Sequence, residues 1–250
     1  IVIDPVPVRL WGTLYGDKTN NNYSLGTVNN TIDSYGNLYM SGSTSASNSS
    51  FATIGAHQNS IPTSQYLCTN GIIVKFDTNG TRLWGTYYGG INYNDIGGIK
   101  ADSQNNIVIT GQTQSPINIS TVGSHQENNQ GGRDAYIVKF NELGIRVWGS
   151  YFGGNNDDFA FGLDIDNLNN IYIVGGTSSL SGIAYNSNYQ SQLFQSTSSY
   201  GDAFIAKFDS TGTIIWSTYA GGESFESFNA VVVKGNQIVA VGYTRSETNI

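Results

Sequence analysis

An all-β fold built of repeated four-stranded antiparallel units is what this sequence predicts, and three observations predict it. The four tryptophans, Trp11, Trp84, Trp148 and Trp216, recur 64 to 73 residues apart inside near-copies of one string: RLWGTLYG, RLWGTYYGG, RVWGSYFGG and IIWSTYAGG. The composition, with 31 Gly, 16 Tyr and 11 Phe and only 12% charged residues, is that of strands and tight turns rather than helices. Finally, each tryptophan string sits at a fixed place in a longer phrase of alternating apolar and polar segments separated by Gly, Asn and Asp.

Within one unit four strands follow in order, here called a to d. Strand a is a short apolar run ending at Asp33, Asp102, Asp166 or Lys234, and it opens on Asn29, Gly98, Gly162 or Ala230, small residues suited to strands that converge on an axis. A turn containing Gly36-Asn37, Asn105-Asn106, Asn169-Asn170 or Gly235-Asn236 leads into strand b, which reads LYMSGST, IVITGQT, IYIVGGT or IVAVGYT. Strand c is GIIVKF, AYIVKF or AFIAKF. It is followed by Asp or Asn and then by Gly80, Gly144 or Gly212, the pattern of a type I turn with a bulge. Strand d carries the tryptophan. Lys75, Lys139 and Lys207 precede the Phe of strand c, so their stems are expected to lie on an aromatic ring and their ammonium groups to reach an acid or solvent. Lys100 and Asp164 share one phase in consecutive units, which predicts an ion pair between units or a lining near the axis.

Four antiparallel strands repeated at this period define a β-propeller blade rather than a sandwich. Repeats are expected near residues 26–90, 97–154 and 161–222, with 229–245 completed by 1–16. The last closure rests on IVIDPVPVRLW, which aligns with IVKFDTNGTRLW, so the chain starts on strands c and d and ends on a and b. Two plus two strands then make a fourth blade and leave no free sheet edge. The alternative is that the 250 residues are part of a larger propeller.

The net charge of −7 argues against a nucleic-acid partner, and no apolar run is long enough for a membrane span. Cys68 is the single cysteine, which excludes an internal disulfide framework and multi-cysteine metal sites. A chain opening at Ile1 rather than Met carries no information about export. In a meander the b-to-c and d-to-a loops share one face, and the b-to-c loops are the longest, rich in Ser, Thr, Asn and Gln. Two contain TIGAHQ and TVGSHQ, and a third echoes them as SNYQ, so His57, Gln58, His125, Gln126, Tyr189 and Gln190 are candidate ligand-binding residues. Their repetition equally fits a role in fastening each loop to its blade. The d-to-a loops place Asp95, Asp157, Asp158, Glu223 and Glu226 on the same face, a set that could hold calcium, supply an acid and base pair, or cap turns. No other cofactor is indicated, because no phosphate loop, dinucleotide fingerprint, GxSxG elbow or HExxH occurs.

The phrases DAYIVKFNELGIRVWGSYFGG and IDNLNNIYIVGGTSS resemble the SBBP family of bacterial β-propeller repeats, over about 240 residues. Gly16-Asp17 in place of Gly-Gly, and Lys234 in place of Asp, depart from that pattern. The resemblance implies secreted or cell-surface bacterial proteins of several modules, some exported through a C-terminal sorting domain. It implies no particular activity, and its members are commonly seven-bladed. The expectation is therefore a non-catalytic module, extracellular or on the bacterial outer surface, that binds a protein partner or surface glycan through its loop-rich face. It would act as part of a larger chain or assembly. A calcium-assisted polysaccharide hydrolase or lyase and a structural spacer are the alternatives.

Overall fold

The computed structural model describes residue 12 and residues 29–45, 51–62, 69–194 and 201–248. Three four-stranded antiparallel sheets follow one another, each a simple meander. The first holds β1 (Asn29–Ile32), β2 (Leu38–Thr44), β3 (Asn70–Phe76) and β4 (Arg82–Tyr88). The second holds β5 (Asn94–Ala101), β6 (Ile107–Thr113), β7 (Asp134–Phe140) and β8 (Arg146–Phe152), and the third β9 (Asp158–Ile165), β10 (Ile171–Thr177), β11 (Asp202–Phe208) and β12 (Ile214–Ala220). A two-stranded sheet, β13 (Glu226–Lys234) and β14 (Gln237–Thr244), comes last. The architecture is all-β and propeller-like. The pairing expected between the N-terminal residues and the last sheet, and the surroundings of Cys68, lie outside the described residues.

Both hairpins of each blade form for the reasons the sequence carries. Between β3 and β4, Asp77 Oδ1 accepts the N–H groups of Asn79 and Thr81 at 2.9 and 2.8 Å, and Gly80 takes a φ of +80°. The extra residue appears as a register shift between Lys75 and Phe76, and the same shift recurs at Lys139/Phe140 and Lys207/Phe208. In the a-to-b hairpins the left-handed position falls to Gly36, Asn105 or Asn169. Asn105 and Asn169 do a second job there, because their side-chain oxygens accept the N–H of Ser34 and Ser103 from the preceding blade.

The recurring Asp and Lys meet inside each blade. Asp33 accepts hydrogen bonds from the backbone and amide of Asn37 and from the Tyr39 hydroxyl, with Lys75 Nζ 3.5 Å away. Burial opposes ionisation of Asp33, but these donors and the lysine outweigh it and hold the carboxyl below the usual range. Lys139 approaches Asp102 at 2.8 Å, and Lys207 approaches Asp166 at 3.9 Å. The ammonium groups of Lys75 and Lys207 also stand 5.0 Å over the rings of Tyr39 and Tyr172.

Blades are joined by side chains that cross from one to the next. The indole N–H of Trp84 donates to Glu142 O at 3.0 Å, and Lys75 donates to the same carbonyl at 3.3 Å. Trp148 and Lys139 grip Ser210 O in the same way. The inner strands β1, β5, β9 and β13 lie side by side, close enough that a side chain at Gly162 would meet Ala230 Cα at 2.8 Å. Lys100 pairs with Asp164 across this row at 2.8 Å, and Asp164 also accepts Val233 N–H at 2.7 Å. Apolar cores fill the spaces between blades: Tyr39, Ile73, Ile99 and Tyr136 in one, Val108, Phe152, Leu163 and Phe204 in the next.

The b-to-c loops differ from expectation. Rather than standing on one face, they run back along the outer strand of their own blade. Thr53 N–H donates to Gly85 O and Tyr87 N–H to Gln58 O. The same two bonds recur as Thr121 to Gly149 and Tyr151 to Gln126, and again between Tyr185 and Ser217 and from Tyr219 to Gln190. The physical reason is the free edge of β4, β8 and β12, whose backbone groups need partners. A long loop supplies them.

Candidate functional site

The rim formed by these loops carries the sequence's histidines. His57 is exposed, yet its ring stacks on Tyr88 at 5.9 Å and meets the edge of Phe140 in the next blade at 5.7 Å. His125 repeats the arrangement with Phe152 and Phe208 and adds Tyr185 at 6.5 Å. Burial of the ring faces, with the charge of Arg146, pushes the His57 pKa down to about 4, and burial also lowers that of His125. Both imidazoles are therefore neutral near pH 7, and His57 is too weak a base for proton abstraction there.

The three glutamines fasten the loops. Gln126 donates from its amide to Asp134 Oδ2 at 2.7 Å and to Asn128 O at 3.0 Å, while its oxygen accepts Gly153 N–H at 3.1 Å. Gln190 does the same with Asp202, Gln192 O and Gly221 N–H. Gln58 bonds Ser60 O and Gly89 N–H. Tyr189 is exposed, and its backbone N–H lies 3.4 Å from Ser187 Oγ.

Beside His125 a groove of about 480 Å³ opens between two blades, lined by Val122, Val147, Trp148, Tyr185 and the Gly212 turn. Its apolar side chains recur around the rim: Ile54 and Val122 are fully exposed at equivalent positions, and Leu83 and Val147 are half exposed. The sequence marked the histidines but not this groove, because Trp148 and Tyr185 read there as strand and loop residues.

The carboxylates of the d-to-a loops are not gathered into one site. Among the described residues no three potential metal ligands come together. Asp95 accepts from Ser43 and from Tyr93, and Asp157 accepts Arg133 N–H at 2.9 Å. Glu223 caps Glu247 and Thr248, and Glu226 binds Thr244, Ser246 and Gly222 N–H. Asp158 is fully buried and accepts from Thr177, Ser179 and Gly154 N–H. Burial, with Asp134 close by, raises the Asp158 pKa to about 7, and Asp134 and Asp202 rise to about 6 for the same first reason. A side chain at Gly153 would strike Asp158 and Asp134 together, which shows how closely the two carboxyls flank that turn. These groups hold turns.

No known protein-family profile matches the chain. Over 141 residues, 54% of the chain, it is 28% identical to an uncharacterized WD repeat-containing protein of Acanthamoeba polyphaga mimivirus, and it spans about 10% of that protein's length. In structure it is similar to a protein of unknown function from Dyadobacter fermentans, with a TM-score of 0.52 and 11% identity, over 89% of this chain and 63% of that one. A Synechocystis apocarotenoid oxygenase mutant superposes with a TM-score of 0.40 and 10% identity over 81% of this chain and 40% of its own, a likeness that carries no argument. The repeated sheets, the WD repeat-containing relative and the Dyadobacter structure together support a propeller-type repeat fold.

Proposed function

We propose that this chain is a non-catalytic interaction module of SBBP-like blades, secreted or displayed on a bacterial surface, which holds a protein partner at the rim beside His57, His125 and Tyr189. The observation that carries this reading is the recurrent apolar rim. Ile54 and Val122 expose their whole side chains on loops otherwise held tightly by hydrogen bonds. Apolar groups gathered in one groove, as Val122, Val147 and Trp148 are, are the mark of a docking surface. Each d-to-a carboxylate already serves a turn or strand end, which supports a scaffold rather than a hydrolase. The fourth blade is completed in this reading by residues 1–16 pairing with β14.

The test is photo-crosslinking in the producing cells from position 122 and, as control, from position 168 on the exposed a-to-b hairpin. A discrete crosslinked protein from 122 alone is expected, and none from either position, or equal labelling from both, overturns the rim assignment. Incubating the purified chain with surface polysaccharides and assaying for released product tests the non-catalytic part. Any product that scales with enzyme overturns it.

A further inference from the structure

In a repeat protein, residues that recur build the frame, and residues that fail to recur make whatever is particular to one place. The positions that fail most are those where the d-to-a loops meet the second strands. Ser43, Gln112, Gly176 and Tyr243 occupy one equivalent position, Asp95, Phe159 and Ser227 a second, and Arg133 stands where the next blade has Gly201. A cavity of about 330 Å³ lies over the third blade, bordered by Gly176 where the preceding blade has Gln112 and by Gly201, whose Cβ would strike Thr177 O at 1.9 Å. Phe159, Phe161, Phe225 and Tyr243 all border it.

Asp157, Thr177 and Ser178 at this cavity are hydrogen-bonded within the chain, but other polar groups there are not. Arg133 lies between two rings, 5.0 Å from the Tyr93 centroid and 5.8 Å from that of Phe159. The ion pairs among the described residues all involve lysine, so none of the described carboxylates lies within ion-pair distance of this guanidinium, although Asp157 also borders the cavity and accepts the Arg133 backbone N–H. Gln112 Oε1 and Ser227 Oγ, both on residues bordering the cavity, have no hydrogen-bond partner among the described residues. Phe159 and Phe161 are parallel to within 5° at a centroid distance of 6.1 Å, and Phe161 is partly exposed.

We infer that this cavity binds a sugar ring that carries a carboxylate, a hexuronate unit of an acidic polysaccharide. A guanidinium held by aromatic faces keeps its edge donors for a planar anion, which it takes bidentately. Aromatic rings bordering the cavity can receive the C–H face of a pyranose. The cavity has the volume of a small-molecule site and fits one ring rather than a length of extended peptide. This site shares no residue with the rim groove, so either assignment can fail without the other.

The experiment is calorimetric titration of the chain with a tetrameric hexuronate, with the matching neutral hexose tetramer and with a capped acidic peptide. Saturable binding of the hexuronate is expected, weakened by added salt and at least tenfold tighter than either comparison ligand. Arg133→Gln is expected to weaken it tenfold or more, and Phe161→Ala, at a partly exposed position, several-fold. Absence of hexuronate binding, equal affinity for the neutral sugar or the peptide, or undiminished affinity in folded Arg133→Gln overturns the inference. Should Arg133→Gln fail to fold, undiminished affinity in Phe161→Ala overturns it equally.

Discussion

Asp158 shows how one repeat position is solved with different chemistry in different blades. The residue at the same register in the second blade is Asn94, which faces Asn70 with an amide-to-amide contact of 3.4 Å, whereas Asp158 faces a second acid, Asp134, across Gly153. Its folded pKa of about 7 lies above the ordinary value of 3.8, so folding favours the protonated form. The contribution is fully present below about pH 4 and is lost as pH rises through 7. Asp158→Asn should therefore melt with the parent at pH 4 and above it at pH 8, by an amount on the order of 2 kcal/mol after allowance for coupling to Asp134. Melting curves from pH 4 to 8 check this, and a gain that does not grow with pH would contradict it. Asp102 behaves oppositely. Burial disfavours its charge, but Lys139 and Asn106 lower its pKa, so its support is present above the unfolded pKa and lost as pH falls through the folded one. The sequence named Asp158 as a candidate ligand because a carboxylate in a Gly-rich loop looks available. Its burial comes from Thr177 and Ser179, contacts 19 and 21 residues away along the chain.

At the level of the element, the long loops are held where they are by one glutamine apiece, but not equally firmly. Gln126 joins a buried carboxylate, a carbonyl and the Gly153 N–H, so its removal leaves Asp134 without its side-chain donor in a fully buried place. In the first blade the residue at the position of Asp134 is Asn70, and the Gln58 side chain bonds Ser60 O and Gly89 N–H. Gln126→Ala is expected to cost about 1–3 kcal/mol and Gln58→Ala about 1 or less, because the penalty for stranding a buried charge exceeds that for a neutral group. Parallel denaturant titrations decide it, and equal losses would show that the carboxylate gains nothing from the amide. Hairpins were legible in the sequence because their cause is local: Asp77 and Gly80 lie three residues apart, and so do Asn141 and Gly144. The loop course was not, because the edge that attracts the loop belongs to a strand farther along the chain, as Thr53 bonds Gly85 and Thr121 bonds Gly149. Lys100 and Asp164 could still be paired from sequence, since a repeat converts distance along the chain into a common phase. Arg133 and Phe159 escaped notice for the converse reason: a search for recurring phrases passes over positions that do not recur.

Taken whole, the molecule is a row of blades in which the first and second each hold the next through a tryptophan and a lysine, and the inner strands lie side by side. Such a stack is stable only if its ends are covered, because a terminal blade lacks one neighbour and its outer strand lacks a partner. The last sheet shows the exposed condition: Val239, Val241 and Tyr243 on β14 are about half exposed, and Val232 on β13 is 62% exposed. In the other blades the strand at this place is buried between its neighbours, as the fully buried β10 shows. If residues 1–16 supply the missing third and fourth strands, deleting them leaves the backbone edge of β14 free. The shortened chain should then melt at least about 4 °C lower, the shift that 1–2 kcal/mol produces in a chain of this size. It should also associate with itself at micromolar concentration, because β14 becomes a template for another copy. Sedimentation and thermal melting of the full and shortened chains settle the matter. An unchanged melting temperature in a monomeric shortened chain would mean that β14 takes its partner from further blades of a longer propeller.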